Sequence, residues 1–75
     1  MSQKTSITAK TKVLCVIGHP IEHSMSPTMH NAAIQDLALD YVYVAYDIHP
    51  NNLEKAVQGF KALNITGFNV TIPHK

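Results

Sequence analysis

Val13-Leu14-Cys15-Val16-Ile17-Gly18-His19-Pro20-Ile21-Glu22-His23-Ser24-Met25-Ser26-Pro27 is the stretch on which the fold turns. Its first five residues are apolar without alternation, the pattern of a strand covered on both faces, as in a parallel sheet. Gly18 ends that run. Pro27 has a fixed φ and no N–H, so it suits the first position of a helix and makes Ser26 the natural N-cap. A helix start offers unpaired N–H groups and a partial positive charge, which stabilise a carboxylate or phosphate lying there. Ser24 and Ser26 add hydroxyls on the same side. A hydroxyl has one donor and two lone pairs, so Ser26 is able to cap the helix and donate to a bound anion together. Capping alone also accounts for Ser26, and a plain loop position for Ser24.

Working outward on the carboxyl side, Met29, Ala33 and Leu37 recur at i, i+4, i+8 with Ala32 beside them. This predicts a helix from Pro27 to about Ala38 that lays a narrow apolar stripe on the sheet. Tyr41 to Ile48 is rich in β-branched and aromatic residues and reads as a second strand, with Val42, Val44, Tyr46 and Ile48 on one face. Pro50 opens a second helix. Its stripe is Leu53, Ala56, Val57, Phe60 and Leu63, with Glu54, Lys55, Gln58 and Lys61 toward water. Asn64 to Gly67 forms a turn, and a third strand runs from about Phe68 to Ile72. Alternation sends Phe68, Val70 and Ile72 to the core, while Asn69 and Thr71 project together from the other face and need partners. The order βαβαβ implies an α/β fold of three layers, αβα, around a mainly parallel sheet with right-handed crossovers. Such sheets bind ligands beyond the carboxyl ends of their strands, here residues 18–26 and 71–75.

On the amino side, Met1 to Thr11 is rich in Ser, Thr and Lys without hydrophobic rhythm, and is expected to be a mobile tail. It resembles neither a signal peptide nor an Arg-rich transit peptide. A chain of 75 residues is at most one small domain, near the size at which a core is marginal. With a net charge of +1 and 45% hydrophobic residues, neither charge-driven disorder nor a nucleic-acid footprint is suggested. One cysteine, Cys15, sits inside the apolar run, which fits a reducing compartment and a small core residue. No apolar stretch approaches the roughly 18 residues of a membrane span. A cytoplasmic chain with no membrane or nucleic-acid partner is expected, so the sequons at Asn64 and Asn69 match the glycosylation pattern by chance. His19-Pro20-Ile21-Glu22-His23 also matches H-x-x-E-H, a zinc pattern that needs a helix to place both histidines on one face. Gly18 and Pro20 flank the first histidine directly after a strand, so a helix and a zinc site are disfavoured there. His30, His49 and His74 show no ligand spacing and read as surface or helix-face residues.

Two segments resemble the shikimate dehydrogenases. Residues 18–31 resemble their G-x-P-I-x-H-S-x-S-P-x-x-H-N signature, and residues 67–75 their G-F-N-V-T-I-P-x-K signature. The order and separation fit, and the likeness covers roughly Val13 to Lys75, the first part of that family's substrate domain. The resemblance implies an NADP-dependent enzyme of aromatic amino-acid biosynthesis that interconverts 3-dehydroshikimate and shikimate, working as a monomer or homodimer. It implies that Ser24 and Ser26 bind the substrate carboxylate. Asn69 and Thr71 would hydrogen-bond the ring hydroxyls or hold the site, and Lys75 would be the catalytic lysine. A lysine titrates near 10.4 when free, so proton transfer near neutrality asks for burial, a neighbouring charge, or a role as a fixed donor to the developing alkoxide.

The family's Gly-rich dinucleotide domain has no counterpart here, since the chain holds three glycines and no G-x-G-x-x-G. It therefore reads as residues 12–75 of a substrate domain behind a tail at 1–11, an amino-terminal piece that alone is not expected to turn over substrate. Two other readings stand beside this one. A quinate or dual shikimate/quinate dehydrogenase differs in the contacts around residues 24–26. A non-catalytic α/β binding module would use Asn69, Thr71 and Lys75 only as strand-end and terminal residues.

Overall fold

The structure is a computed structural model that describes residues 6–71. Three strands form one parallel sheet in the order β2-β1-β3, with β1 at Lys12–Gly18, β2 at Tyr41–Asp47 and β3 at Gly67–Val70. Helix α1 (Ser26–Asp36) joins β1 to β2, and a 3-10 turn at Pro50–Asn52 leads into α2 (Leu53–Ala62), which joins β2 to β3. Because β2 and β3 flank β1 on opposite sides, crossovers of one hand put their helices on opposite faces of the sheet. The packing agrees with this. Val16, Ile21, Ile34 and Tyr43 form one buried cluster on the α1 side, and Cys15, Ile17 and Phe60 form another on the α2 side. The uninterrupted apolar run of β1 thus feeds both clusters in alternation. The expected α/β architecture of three layers is the observed one.

Several local expectations change. The helix α1 does not seat Met29, Ala33 and Leu37 on the sheet, because Met29 and Leu37 are 68% and 65% exposed. Its inner face carries Ile34 and Asn31 instead. The Asn31 side chain donates to the Tyr43 carbonyl at 2.7 Å and accepts from the Tyr43 N–H at 2.9 Å. Those are main-chain groups of β2, an edge strand, so one side-chain amide takes the place of a missing neighbour strand. Leu63, placed on the α2 stripe, is exposed as well, whereas Phe60 is buried and Leu53 packs against it.

The segment before β1 is not wholly a tail. Thr8 to Thr11 close a turn through Thr11 N–H to Thr8 C=O at 3.1 Å, and Thr11 Oγ1 donates to Asp40 Oδ1 at 2.8 Å. Both helices end on a residue in the left-handed region, Ala38 at φ 54° and Asn64 at φ 57°. The following amides of Leu39 and Ile65 reach back to Ile34 and Phe60 carbonyls at 3.0 Å, which closes each helix in a Schellman arrangement. Asn64 tolerates that conformation through its short polar side chain; Ala38 adopts it with a Cβ, at a cost of roughly 1 kcal/mol.

Candidate functional site

The carboxyl ends of the three strands are tied to one another, and this builds the site. Gly18 C=O accepts from Ile48 N–H at 2.9 Å and Ile17 C=O accepts from Thr71 N–H at 3.0 Å. The chain therefore leaves β1 between the end of β2 and the end of β3. The loop that follows begins with a cis His19–Pro20 peptide and turns at 21–24, where Ser24 N–H donates to Ile21 C=O at 2.9 Å. Ile21 folds into the α1-side core and pins the loop from below. Above it opens a hollow of about 390 Å³ lined by His19, Pro20, Ile21, His23, Ser24 and Thr71.

This hollow joins two of the residues singled out in the sequence, Ser24 and Thr71, from positions far apart in the chain. The Ser24 Oγ accepts the Ser26 N–H at 3.2 Å. Its own hydrogen remains for a ligand, because a hydroxyl accepts and donates through separate sites. The side-chain cap expected of Ser26 is not formed. Helix α1 starts one residue earlier than predicted, with Met25 at its N-cap position and no side-chain cap. Ser26 lies half-buried in the first turn and does not line the hollow.

Asn69 belongs to a neighbouring recess of about 300 Å³ that also touches His30, Tyr43 and Phe68. Its amide nitrogen donates to the Tyr43 hydroxyl at 2.9 Å, although Asn69 itself is exposed. The His30 ring stacks on Tyr43 with centroids 4.2 Å apart. Asn31, Tyr43 and Asn69 are therefore linked from helix to edge strand to β3. Lys75, and with it residues 72–74, lies outside the described residues.

Sequence reasoning overlooked the group that Tyr43 organises and the partner of His19. His19 Nδ1 lies 2.7 Å from Asp47 Oδ1. A charged residue closing a strand at its carboxyl end is a signal that could have singled out Asp47, since that rim is where ligands bind. The segment His19 to His23 is not helical, and among the described residues no group of three metal-ligating side chains gathers. Burial pushes the Cys15 thiol above its ordinary range, as befits a core residue. What the hollow offers is a hydroxyl donor ahead of a helix start, a second hydroxyl-bearing residue in Thr71 and the imidazoles of His19 and His23, a polar set able to donate and accept hydrogen bonds.

Comparison with known proteins bears on the same residues. The profile of the shikimate dehydrogenase substrate-binding domain matches residues 16–75. The shikimate dehydrogenase (NADP(+)) of Methanocaldococcus jannaschii is 65% identical over 69 residues, covering 92% of this chain and 24% of that protein. A shikimate dehydrogenase crystallised with NADP+ superposes with a TM-score of 0.91 at 62% identity, over 96% of this chain and 25% of the other. The shikimate 5-dehydrogenase of Listeria monocytogenes, solved with shikimate and NAD, gives a TM-score of 0.90 at 46% identity, over 97% and 25%. The chain spans about a quarter of the length of these relatives. By fold, by motif and by matched length, it belongs to the shikimate dehydrogenase substrate-binding domain family.

Proposed function

We propose that this chain forms the amino-terminal part of the substrate site of an NADP-dependent shikimate dehydrogenase, which reversibly reduces 3-dehydroshikimate to shikimate in the cytoplasm. The observation that carries this reading is the meeting of Ser24 and Thr71 in one hollow at the carboxyl rim of the sheet. In it, Ser24 donates to the substrate carboxylate just ahead of α1, where the helix dipole favours negative charge; Ser26, outside the lining of the hollow, is expected to reach the same carboxylate from the first turn of that helix. Asn69 on β3 and Thr71 just after it bind ring hydroxyls. Lys75 exchanges a proton with the oxygen on the carbon that changes oxidation state.

The residues of this chain do not fit NADP itself. Gly18, Gly59 and Gly67 are too widely spaced for a dinucleotide fingerprint, so the cofactor belongs to a part of the relatives that this chain does not match. The test is a chimera in which this sequence replaces the corresponding segment of the Methanocaldococcus jannaschii enzyme. Such a chimera is expected to oxidise shikimate with NADP and to prefer shikimate to quinate, while the 75-residue chain alone turns over neither. A chimera that folds and binds NADP but leaves shikimate unchanged would reduce this chain to a binding module. Preference for quinate would move the assignment to a quinate dehydrogenase.

A further inference from the structure

His19 enters the hollow straight from the end of β1, and its ring is held on one side. Its Nδ1 lies 2.7 Å from Asp47 Oδ1, and the register that pairs Gly18 with Asp47 keeps that carboxylate beside it. An ionised carboxylate only accepts, so Nδ1 carries the hydrogen and Nε2 is the nitrogen left for a ligand. The His49 ring packs 5.2 Å away, tilted by 54°. His49 is itself engaged, accepting the Asn51 N–H at 3.1 Å. His23 lines the same hollow, with Glu22 at 3.6 Å from its Nε2. Asp47 and His49 are thus the titratable groups in contact with the His19 ring, and His23, beside Glu22, shares the hollow with it. The His19 and Asp47 side chains are 43% and 46% exposed, so solvent screens the pair and its contribution to stability is small. Its consequence is orientation.

We propose that His19 is a further substrate-binding residue of this hollow, aimed by Asp47, whose Nε2 donates a charged hydrogen bond to the carboxylate of the bound acid when the ring is protonated. The inference rests on the shikimate reading above and extends it. A protonated ring adds positive charge to the hollow that Ser24 also lines, so affinity for the acid is greater where the ring is charged.

The experiment measures the Kd of shikimate calorimetrically for the chimera without cofactor, from about pH 8 to about pH 5.5, which brackets the ordinary histidine range. The parent is expected to bind several-fold more tightly at the lower pH. His19→Phe keeps a ring without polar atoms and is expected to weaken binding about tenfold at low pH, the size of one charge-assisted hydrogen bond, and to flatten the pH response. His19→Gln, which places an amide nitrogen near the position of Nε2 and cannot titrate, recovers part of the affinity and stays flat. Asp47→Ala releases the ring and weakens binding with His19 intact. A pH response that survives both His19 variants, or disappears with His49→Gln or His23→Gln while His19 is present, overturns the assignment alone. A parent that binds no shikimate at any pH overturns the reading of the hollow and this assignment with it.

Discussion

Asn31 shows how much a single side chain does in so small a sheet. Its amide holds both main-chain groups of Tyr43 on the edge strand, and the Tyr43 hydroxyl in turn receives Asn69. Asn31→Leu leaves a partly buried donor and acceptor without partners and is expected to destabilise the chain by about 2 kcal/mol. Asn31→Asp keeps an acceptor for the N–H but sets a carboxylate against the Tyr43 carbonyl, and should lose a comparable amount. Urea unfolding followed by circular dichroism checks both; an unchanged midpoint would show that solvent replaces these bonds freely. This residue sat inside a motif quoted from the sequence, yet its role was not legible there. A polar residue on a helix reads as solvent-facing, and only the fold brings a bare peptide of the edge strand within its reach. Asp47 was hidden for a similar reason, since nothing local links it to His19 across the intervening helix. The place of Ser24 at the rim, by contrast, was legible, although the side-chain cap expected of Ser26 is absent and Ser24 instead accepts the Ser26 N–H.

Among the elements, β1 was the most legible, because five successive apolar residues leave no face for water. The helix α2 followed closely, with Glu54, Lys55, Gln58 and Lys61 exposed as its periodicity requires. The helix α1 was misread on its buried face. Met29, Ala33 and Leu37 satisfy helical spacing, but the face that meets the sheet is centred on Ile34, beside which stands polar Asn31. Hydrophobic pattern alone assigns such a helix to the wrong rotation. The two faces give a sharp contrast. Ile34→Ala opens a cavity against Val16, Ile21 and Tyr43 and is expected to cost roughly 2–4 kcal/mol. Met29→Ala and Leu37→Ala should each change stability by less than about 0.5 kcal/mol in the 75-residue chain. Equal losses on both faces, read from the same urea midpoints, would mean that α1 packs through the methionine side after all.

At the scale of the whole molecule, parallel strands and opposed helices gather the ends of all three strands at one rim, and there the chain places its hydroxyls and its imidazole. The arrangement was foreseeable from the βαβαβ order, because doubly wound sheets bind at that rim. The second recess was not, since it opens over the earlier part of β1 and the start of β3, where His30 and Tyr43 close it. The most direct measurement of the central claim is the crystal structure of the chimera with shikimate bound. The acid is expected in the hollow above Ile21, its carboxylate within hydrogen-bond distance of Ser24 Oγ and its ring toward Thr71. Shikimate seated elsewhere, touching neither Ser24 nor Thr71, would contradict it.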